Sequence, residues 1–95
     1  MAYRLSQKAE DDLVSIYVAG AQAFGGAQAE RYHAELEQAF RYLAAFPRAA
    51  QERREIDPPV RIHRCKAHLI VYLVQDKDVL ILRIRHGHED WVETP

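Results

Sequence analysis

Apolar residues in the first half of the chain recur every three or four positions, whereas in the second half they recur at every second position or run together. The first spacing is that of a helix buried along one side, and the second is that of strands. Ala9, Leu13, Ile16, Gly20 and Phe24 predict a helix from about Gln7 to Phe24. Ser6 stands where an N-cap belongs, its hydroxyl able to accept from an unpaired amide two or three residues on. Glu10, Asp11 and Asp12 follow in the first turns, where the helix dipole favours carboxylates. Gly25-Gly26 ends this helix, and a second restarts near Ala27. Ala29, Tyr32, Leu36, Ala39, Phe40 and Leu43 line one of its sides, and Pro47 stops it after Phe46. Two helices joined by so short a turn make an antiparallel hairpin.

The apolar stripes of that hairpin need a cover, and the second half supplies one. Tyr3-Arg4-Leu5 alternates and predicts a short first strand. Residues 48–59 are mostly polar and end in Pro58-Pro59, the pattern of a loop. Val60–Cys65 alternates like a half-exposed strand, and His68–Gln75 is almost continuously apolar, like a central one. Asp76-Lys77-Asp78 makes a turn, and Val79–Arg85 returns as the last strand. Strict alternation along it places Leu80, Leu82 and Ile84 on one face, with Ile81, Arg83 and Arg85 on the other. The order is β-α-α-β-β-β, an α+β fold in which a helical hairpin packs on one face of an antiparallel sheet. The pattern does not place the first strand within the sheet.

Ninety-five residues make one domain, spanning 1–95. At 48% hydrophobic and 28% charged the composition is globular. The longest apolar run, residues 69–74, is far short of the ~20 residues that span a bilayer. No charged segment followed by an apolar stretch opens the chain, so no secretory signal is expected. Cys65 is the only cysteine, which forbids an internal disulfide and suits a cytoplasmic location. The net charge of −1 conceals segregation. Residues 41–88 carry ten Lys/Arg against five Asp/Glu, whereas residues 1–40 carry three against six. Such a field favours an acidic partner over the second half, or is simply an uneven solvated surface.

Several patterns invite a chemical reading. His86-x-His88 with Glu89 and Asp90 has the look of metal ligands, but no second cluster matches it, so a metal site is not expected. Gly25-Gly26 lacks the preceding strand and the spacing of a phosphate loop. His68 heads a core strand, where hydrogen bonding to backbone explains it. Arg83 and Arg85 carry more. A hairpin covers one sheet face only, so the face bearing them with Ile81 meets either water or a partner, and mixed arginine–apolar patches are typical of interface centres. Arg61 and His63 share a face of their own strand, and Arg64 and His86 add to the local positive charge. On the first helix Val14 and Val18 lie about 100° round from Leu13. They either pack on the second helix or, with Tyr17 and Ala21, wall a groove for an amphipathic helix. Trp91 is either a lid over the sheet edge or an exposed anchor.

Read in order, these segments resemble the ParE branch of the RelE/ParE toxin superfamily. The resemblance lies in Tyr3-x-Leu5-Ser6-x-x-Ala9-x-x-Asp12-Leu13-x-x-Ile16, in Phe24-Gly25 with Gln28-Ala29-x-x-Tyr32-x-x-x-Leu36, and in Pro47. It continues through His68-x-x-x-Tyr72 and Ile81-Leu82-Arg83-Ile84-x-His86-x-x-x-Asp90. Two positions depart from it: Ala49-Ala50 stand where the family often has a glycine, and Ala19 replaces a common aromatic. The resemblance implies the toxin of a type II toxin–antitoxin pair, a device of growth inhibition and plasmid stabilisation. It implies a ParD-like antitoxin that neutralises the toxin by binding, and DNA gyrase as the target, with DNA touched only through the gyrase complex. It implies no catalysis, cofactor or membrane. Arg61, Arg64, Arg83, Arg85 and His86 are then the expected target-binding residues. Val14, Tyr17, Val18, Ala21, Ile81 and Trp91 are the expected antitoxin-binding residues. Two alternatives remain at this stage: a ribosome-dependent mRNA endoribonuclease of the RelE kind, and an inactive homologue that only binds its antitoxin.

Overall fold

The structure, a computed structural model, describes residues 2–87. Its elements are β1 (Tyr3–Leu5), α1 (Gln7–Phe24), α2 (Gly26–Ala45), β2 (Glu52–Arg53), β3 (Val60–Cys65), β4 (His68–Gln75) and β5 (Asp78–His86). The helices pack on one face of a five-stranded sheet of order β1-β5-β4-β3-β2. β3, β4 and β5 form the expected antiparallel meander, with β2 antiparallel to β3 as a fifth strand inside the segment expected to be loop. β1 pairs with β5 in parallel, so the sheet is mixed.

The long connection allows parallel pairing, which a tight turn would forbid, because the chain leaves β1 through both helices and the meander before β5 lies beside it. The pairing stops at Leu5, opposite Ile81, although β5 runs on to His86. Ser6 and Asp12 continue the ladder from there. The Ser6 amide donates to the Ile81 carbonyl (2.9 Å), and the Ser6 hydroxyl donates to the Leu82 carbonyl (2.7 Å). That same hydroxyl accepts from the Ala9 amide (3.0 Å), so one residue both caps α1 and fixes it to the sheet. One turn further on, the Asp12 carboxylate accepts the Ile84 amide at 2.9 Å. A buried sheet edge is thereby satisfied without another strand.

Gly25 joins the helices at φ 92°, a backbone conformation that residues with a Cβ rarely adopt. The main core lies between hairpin and sheet: Leu13, Leu36, Phe40 and Leu43 meet Ile70, Tyr72, Val79, Ile81 and Ile84. The Tyr72 hydroxyl donates to the Pro47 carbonyl at 2.9 Å, which ties the end of α2 to the central strand. Phe24, expected within the apolar stripe of α1, is instead exposed at the helix end. None of the described helices is long and apolar enough to cross a membrane.

The phase of β5 departs from strict alternation. Val71 pairs with Arg83 and Tyr72 with Ile81, leaving Leu82 as the extra residue of a β-bulge. Val79, Ile81 and Ile84 therefore all face the helices. Leu82 faces the reverse side with Val71, and the register places Arg83 and Arg85 opposite Val71 and Leu69 on that side as well. Ile81 is 0% exposed, so its expected place beside the arginines in an antitoxin contact is corrected: it belongs to the core.

Candidate functional site

The reverse face of the sheet is an apolar patch with arginines at its edge. Ile56, Val60 and Val71 are buried there, with Ile62, Leu69 and Leu82 packed against them. Ile56 comes from the loop after β2, which folds back across the sheet, so the chain itself covers part of the face expected to be open. Two cross-strand rows organise the rest: Ile62–Val71–Arg83 and Arg64–Leu69–Arg85. Arg64, Arg83 and Arg85 thus share one face. Arg61 does not. It lies in the row of Tyr72 and Ile81, on the helix side, and its guanidinium donates to the Ala50 carbonyl at 2.6 Å. His63 also faces the helices, its ring 5.5 Å from that of Tyr42, and burial holds its pKa below the usual imidazole value. The expected grouping of Arg61 with Arg83 and Arg85 is therefore corrected by register.

The arginines are held by the chain. Arg83 makes a two-pronged ion pair with Asp12, Nε to Oδ2 at 2.8 Å and Nη2 to Oδ1 at 3.1 Å. The Asp12 side chain is only 16% exposed, so this contact lies partly shielded from water. Arg83 is thereby largely balanced and fixed in direction by the chain itself, where water or a partner was expected to meet it. Arg64 donates to the Lys66 carbonyl (3.1 Å) and lies against Gly87, where an added Cβ would come within 3.0 Å of its Nη1. A groove of about 140 Å³ runs between the returning loop and β4–β5, with Val71 and Leu82 on its floor and Arg83 and Arg85 along one lip.

A second surface lies on α1. Val14 (63% exposed) and Val18 (47% exposed) present much of their apolar surface to solvent. With Leu13, Tyr17 and His33 they line an open groove of about 240 Å³, which brings together three of the expected antitoxin-binding residues. His33 pairs with Glu37 (3.4 Å) and sets its ring edge-on to Tyr17. Ala21 is half-buried one turn further along. Trp91 and His88 lie outside the described residues.

The third surface was not foreseen, and it takes His86 to the helix side, away from Arg64, Arg83 and Arg85, with which it was expected to bind the target. Cys65, His68 and His86 form one cross-strand row on the helix side, at the end of the sheet farthest from the Asp76–Lys77 turn. Tyr32 of α2 reaches into that row. Its hydroxyl lies 2.6 Å from His68 Nδ1 and 3.3 Å from the Cys65 carbonyl, and the His68 ring stands edge-on to His86 at 5.5 Å. The phenol has a single proton. Given to the Cys65 carbonyl, it requires His68 to carry its proton on Nδ1; given to His68, it requires the Nε2–H tautomer. Beside these rings an apolar trough of about 660 Å³ opens, with Ile16, Ala19, Ala23 and Phe24 among its walls. Burial raises the Tyr32 pKa, with the Cys65 thiol adding to the shift, and burial followed by Glu35 raises that of Cys65. Near neutral pH neither is activated as a phenolate or thiolate. Lys66, on the rim, is matched by Glu35 at 2.8 Å. A sequence reading had no local signal for this cluster, since Tyr32 and His68 are 36 positions apart.

Comparison with known proteins sets these surfaces in context. The family model described as ParE toxin of type II toxin-antitoxin system, parDE, matches residues 3–91. Toxin ParE of Escherichia coli is 34% identical over 90 residues, covering 94% of this chain and 87% of that protein. Toxin ParE3 of Caulobacter vibrioides is 36% identical over 52 residues, 55% of this chain and 52% of the relative. A solved structure described as the chromosomal ParDE TA system from P. aeruginosa superposes with a TM-score of 0.79 at 23% identity, covering 90% of this chain and 95% of that one. At that identity the superposition speaks for the fold.

Proposed function

Because the chain belongs to the ParE toxins of type II toxin–antitoxin systems, we propose that it arrests growth by binding DNA gyrase stoichiometrically and is neutralised by a ParD-like antitoxin. The observation that carries the reading is the reverse sheet face, where Arg64, Arg83 and Arg85 border half-buried Leu69 and Leu82. Interface centres are built from such mixtures of arginine and apolar surface. The α1 groove of Val14, Tyr17 and Val18 offers the antitoxin a separate apolar wall suited to an amphipathic helix. DNA is met only within the gyrase complex, the setting is the cytoplasm, and no cofactor takes part.

The decisive experiment is a supercoiling and cleavage assay with purified gyrase and the isolated protein. Loss of supercoiling with trapped cleavage complexes is expected. Untouched gyrase together with cut messages in a translation extract would replace the proposal with ribosome-dependent cleavage. No growth defect at any level of expression would leave only antitoxin binding.

A further inference from the structure

The arginine excess in the second half of the chain begins where two aromatic rings stand exposed. Residues 41–64 hold six arginines against three carboxylates, Glu52, Glu55 and Asp57. Two of the six are matched close by, Arg53 by Glu55 and Arg54 by Glu52, each at 3.0 Å. Arg41 and Arg48 are exposed and form no ion pair among the described residues. Beside them Tyr42 and Phe46, one turn apart at the end of α2, set their ring centroids 5.4 Å from each other, and the His63 ring lies 5.5 Å from that of Tyr42. Phe46 is 60% exposed and Tyr42 45%, and neither belongs to the core. With Ala45, Pro47, Arg48 and Ala49 they line an open groove of about 460 Å³. Arg41 precedes Ala45 by one turn and so shares its side of the helix. A cation past a helix end complements the dipole, which accounts for Arg48 but not for the rings.

We propose that this surface binds single-stranded DNA, with unpaired bases stacked on Phe46 and Tyr42 and the phosphates between them set on Arg41 and Arg48. Aromatic platforms flanked by cations hold unpaired strands because every base has a flat apolar face. An acidic peptide would meet the same arginines, but its carboxylate side chains carry nothing flat to set on the rings. Duplex DNA keeps its base faces inside its own stack. Ala45, Pro47 and Ala49 offer a ribose 2′-hydroxyl no side-chain partner, so RNA gains nothing over DNA here. An adjoining groove shares Pro47 and Arg48 and leads to Arg61. There Glu52 stands opposite Arg61 in the β2–β3 register, so phosphate is drawn instead to Arg41 and Arg48. The inference deepens the reading that DNA is met within the gyrase complex, by naming the surface that meets it, and rests on that reading for its setting. Alone the contact is weak; beside DNA held by gyrase it acts at high effective concentration.

Fluorescence anisotropy of a labelled dU octamer, titrated with the full-length protein at low salt, tests the proposal. Saturable binding is expected at ~10⁻⁴ M, the weak end of sequence-independent contacts, with a log–log salt slope of about −1.4 for two phosphates. Phe46→Ala should weaken it about tenfold, in the range of one lost base stack, and Phe46→Leu, which keeps an apolar side chain there, nearly as much. Arg48→Gln should bring the slope to about −0.7. Absence of saturable binding, wild-type affinity in Phe46→Leu, or equal affinity for an abasic octamer or an octaglutamate peptide would overturn the proposal. So would tighter binding of an rU octamer. The gyrase assay separates the two readings. Octamer binding by a protein without effect on gyrase keeps the surface and removes its setting, whereas gyrase inhibition without octamer binding removes the surface alone.

Discussion

The two faces of the sheet are built to different standards. The helix side buries Phe40, Leu36, Leu43, Tyr72 and Ile81 completely, in one continuous core. The reverse side gathers three buried residues, Ile56, Val60 and Val71, under a loop, with Ile62, Leu69 and Leu82 only partly covered. Both faces of β4 are apolar, but only one has helices to cover it. The reverse face keeps more apolar surface than solubility asks for, beside a row of arginines. A small domain has little core to spare, so among the described residues the helix side carries most of the stability, and the looser reverse side suits the recognition role proposed for it.

Core truncations give the sharpest way to break that contrast. Phe40→Ala should cost about 4 kcal/mol, in the range of large buried aromatics, and Ile56→Ala about 2 kcal/mol, near the low end for aliphatic truncation in a small cluster that can collapse. Urea titration of both variants checks this, and equal losses would dissolve the distinction between the faces. The Asp12 clamp, which joins the two regions, comes next. Asp12→Ala takes the carboxylate from Arg83 and from the Ile84 amide. Charge-assisted hydrogen bonds are worth about 1.5–3 kcal/mol. Because Arg83 is one-third exposed, solvent screening brings the expected loss to about 1–2 kcal/mol. The same clamp bears on how the reverse face is probed. Arg83→Glu would set two carboxylates together and unsettle the fold, whereas Arg85→Glu should remove gyrase inhibition while the protein still folds.

Much of this was legible in the chain. The helices declared themselves through their 3.6-residue stripes, the Ser6 cap, Gly25 and Pro47, all of them local signals. The meander was legible from alternation between turns. What escaped was non-local. The bulge at Leu82 shifts the phase within β5, so a pattern of period two put Ile81 with the arginines and Ile84 opposite them, where the structure sends both to the core. Alternation alone sets Arg61 and Arg64, three residues apart, on opposite faces, and only pairing with β4 shows which of them joins Arg83 and Arg85. The covering of the reverse face did have a signal in Ile56, the one large aliphatic in a polar segment, yet nothing local says where such a loop lands. The Asp12–Arg83 pair and the Tyr32–His68 contact span 71 and 36 positions.

The smallest expected effect sharpens the picture on the helix side. Burial lowers the His63 pKa in the folded protein, so the unfolded chain takes up a proton first as the pH falls. The stability this residue contributes is complete above its unfolded value of about 6.5 and declines as the pH drops through that value towards the folded one. His63→Gln should flatten that limb of the stability curve, and an unchanged slope between the two variants would show that His63 does not titrate differently on folding.

Titration of purified gyrase with the isolated toxin tests most directly whether the protein works by gripping its target. Supercoiling should decline in proportion to added toxin and be lost when toxin and binding sites are matched in number, with recovery when a ParD-like antitoxin is added in equal amount. Complete inactivation by a small fraction of that quantity, persisting after the toxin is removed, would show turnover and contradict the account.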